Sequence, residues 1–238
     1  MSLTTPDEPG LPRRKLGELV EERLLGQLMA GDLKPGELLA SERELMDRFK
    51  VGRPAIREAL QSLQRQGLVD IRHGERPRVA QPSLDRTLGD LDKTMRHVLL
   101  HSEGSLEHLK AARLLFEIQM VRIAARTPTS EGLDRLRAIL DQQSSSARGS
   151  PQFMALDGRF HQAIAAMTGN PIFSSLAGAL FGWLSVFHAE QVRRPGLEEL
   201  TLAEHQDILA AIEAGDPDRA EARMADHLRR ANALYNSP

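Results

Sequence analysis

The stretch from Ser41 to Val79 leaves this chain little freedom in how it folds. It reads S-E-R-E-L-M-D-R-F-K-V-G-R-P-A-I-R-E-A-L-Q-S-L-Q-R-Q-G-L-V-D-I-R-H-G-E-R-P-R-V. Leu45, Phe49, Ile56, Leu60, Leu63 and Leu68 recur at helical spacings, which predicts two short helices packed on one small core. Ser41 with Glu44 three residues on is a capping-box start for the first helix. Val51-Gly52 breaks that helix, with glycine expected to supply the sharp turn. Arg53-Pro54 opens the second, with proline in the first turn where a missing N–H costs little. V-D-I-R and R-P-R-V then flank His73-Gly74, which predicts a two-stranded wing with a tight turn at its tip.

Arg53 and Arg57 are four apart, so they share a face at the start of the second helix, and that face carries no large apolar residue. In a helix-turn-helix the second helix enters the DNA major groove by its N-terminal end. Arginine there can donate two hydrogen bonds to guanine O6 and N7. Residues 43–78 hold nine Lys/Arg against five Asp/Glu, while the whole chain carries a formal charge of -2. A local basic face on an acidic protein is the electrostatic footprint of nucleic-acid binding. On pattern alone, an ordinary solvated helical face remains the alternative.

The rest of the chain predicts a second, wholly helical domain. A length of 238 residues suits one large domain or two smaller ones. With 41% hydrophobic and 27% charged residues the chain is globular, and 4% aromatics suit leucine/alanine helical cores. The absence of cysteine excludes disulfide and thiolate chemistry. Residues 1–14 read as a flexible polar leader without the apolar segment of a secretory signal. Arg13, Arg14 and Lys15 would touch phosphates or simply be solvated. No run approaches the ~18 apolar residues of a membrane span, so a cytoplasmic protein with no membrane partner is expected.

Leu16, Leu19, Val20, Leu24 and Leu28 predict an amphipathic helix from Lys15 to Ala30, ended by Gly31-Asp32, with a short strand following at Leu38-Leu39. The winged helix-turn-helix is thus expected over 15–80, and Gln81-Pro82-Ser83 marks the boundary. Over 83–236 the periodicity is helical throughout: Leu84–His101, Leu106–Arg126, Leu133–Ser146, Phe153–Met167, Ile172–Val192, Leu197–Ala214 and Asp218–Leu234. Thr129-Ser130, Asn170-Pro171 and Asp216-Pro217 are helix starts, two of them with proline at the first helical position. The expected architecture is mainly α: a winged helix-turn-helix followed by an all-α bundle of six or seven helices.

Asp157 and His161 are four apart and project from one helix face. His205 and His227 lie on two later helices. Leu156, Phe160 and Ile164 turn the Asp157 helix into the bundle, so a polar pair beside them needs a partner. Three neutral imidazoles and a carboxylate are a ligand set for Zn²⁺, Ni²⁺ or a similar divalent ion. Spacing alone leaves open that these are surface or hydrogen-bonded histidines among the eight in the chain.

These motifs together resemble the GntR family of bacterial transcription regulators, in the FadR branch with an FCD-type effector domain. The resemblance spans about residues 15–235. It implies DNA contacts at Arg43, Arg53, Pro54 and Arg57 and, on the wing, at His73, Gly74 and Arg76. Many relatives carry a Gly-Thr wing tip, where this chain has Gly74-Glu75. For the bundle it implies a divalent metal at Asp157, His161, His205 and His227, with Zn most fitting and Ni or Mn as alternatives. It further implies a carboxylate effector beside that metal, with Arg113 as its partner, Glu117 orienting Arg113, and Arg159 near the metal pair. The wing G-E-R-P-R-V and the later G-N-P-I-F look like the sialic-acid-responsive branch of the family, which points to a sugar acid. A homodimer on a double-stranded operator is expected, acting as a repressor. Two other readings are a metal sensor without an organic effector and a metal-dependent hydrolase. No further acid/base motif accompanies the ligand set, so an enzyme is not expected.

Overall fold

The structure, a computed structural model, describes residues 15–72, 74–148, 150–185 and 197–234. The leader over 1–14, His73, and the last part of the helix expected to reach Val192 lie outside these residues. The chain divides into two compact units, 1–83 and 84–238.

In the first unit, α1 (Leu16–Ala30) packs on α3 (Arg53–Arg65), and α2 (Glu42–Phe49) closes the three-helix core. Val20, Leu24, Leu45, Ile56, Leu60 and Leu63 are buried together, with Phe49 and Leu68 packed against them. Gly31 ends α1 at φ 78, its N–H donating to the carbonyls of Gln27 and Leu28; this left-handed cap suits glycine. Ser41 and Glu44 form the expected capping box: the Glu44 carboxylate accepts from the Ser41 N–H at 2.7 Å, and Ser41 Oγ accepts from the Glu44 N–H.

Two local expectations are corrected. The left-handed residue between α2 and α3 is Lys50, at φ 54, whereas Gly52 is extended at φ -73 and N-caps α3. The sharp turn therefore comes one position before Val51-Gly52, at a lysine. Leu38-Leu39 forms no full strand. Leu38 makes a single antiparallel bridge to Arg78, while Leu39 N–H donates to the Pro77 carbonyl. The wing itself is short: β1 (Val69–Asp70) pairs antiparallel with β2 (Arg78–Val79), Val69 opposite Val79. Its turn is closed by the Glu75 N–H donating to the Arg72 carbonyl, with Gly74 at φ 76.

The described residues of the second unit form seven helices: α4 (Leu84–His101), α5 (Ser105–Arg126), α6 (Ser130–Ser145), α7 (Pro151–Ala166), α8 (Pro171–Leu184), α9 (Leu197–Glu213) and α10 (Pro217–Leu234). Side chains fix their starts. Thr129, Ser150 and Asn170 accept from the N–H groups of Gly132, Phe153 and Ile172, and Asp216 accepts from Arg219 at 3.0 Å. Asn170 thus acts as a helix cap. The core runs through α5, α6, α7, α9 and α10, centred on Val121, Leu136, Phe160, Ile164, Ile208, Ile212 and Leu228. Gly158 lets α8 approach α7: a Cβ there would meet the Phe181 ring at 2.5 Å. Among the described residues no helix is long and apolar enough to cross a membrane.

Candidate metal centre and nucleic-acid interface

On the first unit, Arg43, Arg53, Pro54 and Arg57 are all exposed, on α2 and the first turns of α3. The two α3 arginines share a partner that the sequence reading missed. Glu42, the first residue of α2, accepts from Arg57 Nε at 3.0 and 3.2 Å and lies 3.7 Å from Arg53 Nε. Glu42 holds the Arg57 side chain through Nε, and these bonds do not use its two terminal Nη groups. Those are donors that can reach a base edge or a phosphate. Arg76 lies across the wing from α2 and donates to Glu44 at 2.5 Å, tying the wing to the start of the helix-turn-helix. Gly74 is exposed at the wing tip.

In the second unit, α7, α9 and α10 bring Asp157, His161, His205 and His227 together. One ligand atom from each lies within 4.8 Å of the others. The three histidines are almost entirely buried, at 2%, 0% and 3% exposure, and the Asp157 side chain is 13% exposed. Each imidazole has an outer neighbour on Nδ1, which for His161 is a close contact without hydrogen-bond geometry. His227 Nδ1 is 2.7 Å from Glu204 Oε2, His205 Nδ1 is 3.2 Å from Gln143 Oε1, and His161 Nδ1 contacts Glu117 Oε2. This leaves Nε2 as the inward atom. His161 Nε2 and His205 Nε2 are buried with no hydrogen-bond partner, although His205 Nε2 lies 3.4 Å from Asp157 Oδ1. Buried ring nitrogens without a proton partner are costly. A coordinated divalent cation would satisfy both at once, so the donor set fits such an ion.

The surroundings favour the neutral form of His205 and His227. Burial first, then the neighbouring His227, His161 and Arg113, keeps His205 well below the ordinary 6.5. Burial also lowers His227, against the opposing pull of its bond to Glu204. Outer acceptors on ligating histidines are the usual way to fix tautomer and ring orientation. Glu204 is itself clamped by Arg230, whose Nε donates at 2.6 Å, and Arg230 also donates to Thr201.

Arg113 and Glu117, on α5, are a buried pair, at 3% and 4% exposure. Arg113 Nε donates to Glu117 Oε1 at 2.5 Å, while the other Glu117 oxygen meets His161. Burial pushes Glu117 up, but Arg113 and then His161 pull harder, and its carboxyl is lowered to about 2. The Phe181 ring lies 5.4 Å from the Arg113 guanidinium and is stacked on His161. Arg159 is not brought to this cluster. It is exposed, and two positions past Asp157 is about 200° round a helix.

An exposed arginine pair on a helix-turn-helix with a wing, followed by a separate helical unit, is the arrangement of a DNA-binding transcription regulator. Residues 16–79 match the model for bacterial regulatory proteins of the gntR family, and residues 108–230 match the FCD domain. The chain belongs to the gntR family; it is a DNA-binding transcription regulator, not an enzyme. It is 39% identical over 235 residues to the HTH-type transcriptional repressor NanR of Cronobacter sakazakii, covering 95% of this chain and 88% of that one. The NanR repressor of Escherichia coli is likewise 39% identical, over 95% and 87%. Among solved structures, Streptococcus agalactiae GntR superposes with a TM-score of 0.67 at 25% identity, over 91% of this chain and 99% of that one.

Proposed function

We propose that this regulator is a cytoplasmic repressor that binds its operator as a homodimer and is released or retained by a small carboxylate held beside a divalent ion. Asp157, His161, His205 and His227 would hold the ion, and zinc suits three imidazole nitrogens and one carboxylate best. Bound there, the ion would supply positive charge and open positions for an anionic oxygen. The observation that carries this reading is the convergence of four ligand atoms within 4.8 Å around two buried, unpartnered Nε2 atoms.

Charge supports an anionic effector. Arg113 offsets Glu117 and Arg230 offsets Glu204, which leaves Asp157 as one negative charge in excess. A divalent ion reverses this to one positive charge. A single carboxylate then brings the buried cluster to neutrality, the state that costs least away from water. Arg113, close enough to depress His205, is the guanidinium to which such a carboxylate would turn. Among carboxylates a sugar acid, and sialic acid first, is the effector favoured by the resemblance of the wing G-E-R-P-R-V and of G-N-P-I-F to the sialic-acid-responsive branch of the family.

Elemental analysis of untagged protein tests the reading. Wild type is expected to carry about one divalent ion per chain and His161→Ala none. Wild type that stays metal-free after zinc or nickel is added removes the proposal for the second unit.

For the first unit, Arg57→Ala should weaken operator binding by about 1–3 kcal/mol and leave binding to random DNA nearly unchanged. Fluorescence anisotropy against both DNAs checks this. An equal loss on both would make Arg57 a phosphate contact, and no loss would remove it from the interface.

A further inference from the structure

Gln143 is fully buried on α6, a helix that contributes none of the four ligands. A buried carboxamide must find partners for both of its ends. Its Nε2 donates to the Phe153 carbonyl at 3.4 Å, and its Oε1 lies 3.2 Å from His205 Nδ1. A main-chain carbonyl can only accept, so the amide nitrogen must face Phe153. The amide oxygen is thereby turned to His205, and it too can only accept. Nδ1 of His205 must therefore carry the proton, and the lone pair sits on Nε2, facing Asp157 and the other imidazoles.

We propose that Gln143 is a positioning residue of the metal centre, which sets the tautomer and ring orientation of His205 so that Nε2 is the ligand atom. The inference rests on the metal reading above and adds to it a residue outside the ligand set. Its chemistry differs from that of the other two outer partners. His161 and His227 lean on carboxylates, Glu117 and Glu204, each tied to an arginine. His205 leans on a neutral amide, itself anchored to the main chain of α7. Orientation reaches His205 from that anchor without a further buried charge, which would need its own counter-ion. Without an acceptor on Nδ1, the His205 ring has an alternative: Nε2–H donating to Asp157 Oδ1, now 3.4 Å away. That tautomer withdraws both atoms from a metal.

The test compares full-length wild type, Gln143→Leu and Gln143→Glu. Leucine removes the acceptor at similar volume, while glutamate keeps an acceptor for Nδ1–H, loses the donor to Phe153 and adds a buried carboxyl. Nitrogen-15 NMR of the metal-free proteins reads the His205 tautomer, assigned against His205→Ala, and chelator competition reads zinc affinity. Wild type is expected to show Nδ1–H, and Gln143→Leu to show Nε2–H with zinc affinity down about 10–100-fold. Gln143→Glu should retain the Nδ1–H signature and most of the affinity. An Nε2–H wild type, or a leucine variant unchanged in both readouts, overturns the role of Gln143. Should the leucine variant fail to fold, the wild-type tautomer and the glutamate variant decide between the same outcomes. A wild type that shows Nδ1–H yet takes up no zinc overturns the metal reading and leaves the tautomer assignment standing.

Discussion

Arg113→Ala lowers the stability of the helical unit by about 3–5 kcal/mol at pH 7, the cost of leaving one member of a buried ion pair behind. Glu117 would remain at 4% exposure with only His161 against it. In the wild type, burial alone would raise the Glu117 carboxyl, and Arg113 is the largest influence lowering it to about 2 from an ordinary 4.5. A carboxyl depressed in the folded state contributes stability that is complete above about 4.5 and lost as pH falls toward 2. Removing Arg113 lets burial dominate, so Glu117 rises, and the variant's deficit should shrink on acidification, where a neutral carboxyl is no longer stranded. Trp183, the single tryptophan, is buried on α8 and reports urea unfolding of this unit. The double variant Arg113→Leu/Glu117→Leu should be closer to wild type than Arg113→Ala, because replacing a whole buried pair with apolar groups is often nearly neutral. Equal losses in both variants would mean that packing, not the stranded charge, sets the cost.

Features written within a few residues of one another were legible in the sequence. The capping box at Ser41 and Glu44, the caps at Thr129, Asn170 and Asp216, and the glycine stop at Gly31 each join a side chain or a turn to the adjacent backbone. Helical periodicity placed Leu45, Leu60 and Leu63 in the first core and Leu156, Phe160 and Ile164 in the second for the same reason, since one face repeats along the chain. The turn at Lys50 was misread because glycine is the usual left-handed residue, and here a lysine takes that conformation beside an extended Gly52.

At the candidate site, spacing could set Asp157 beside His161, and Arg113 beside Glu117, within single helices. It could not say that the second pair is buried or that Glu117 also reaches His161 on another helix. Gln143 is sixty-two positions from His205, and Glu42 fifteen from Arg57. No local pattern marks an amide or a carboxylate as the partner of a side chain that only tertiary folding brings near. Arg159 shows the reverse error: closeness in sequence to Asp157 does not survive the helix geometry that turns it outward.

Saturating zinc at pH 7 is expected to stabilise the helical unit by about 4 kcal/mol at a thousandfold excess over its Kd, and acid is expected to remove that increment. The ligands bind as neutral imidazoles, so each protonated histidine competes with the ion. Burial lowers His205 and His227 in the folded protein, so both should stay neutral below the ordinary 6.5. A histidine depressed on folding favours the native state fully above 6.5. That contribution is lost as pH falls from 6.5 toward the folded value, because over that range only the unfolded chain takes up the proton. Zinc affinity of the folded protein should therefore hold from pH 7 to below 6.5 and fall as pH approaches the lowered values of His205 and His227. Urea unfolding followed at Trp183, with and without zinc, measures the increment at pH 7 and pH 5. His205→Ala should show none at either pH, while its first unit still binds operator DNA. An increment that survives in His205→Ala would place the bound zinc somewhere other than this cluster of buried histidines.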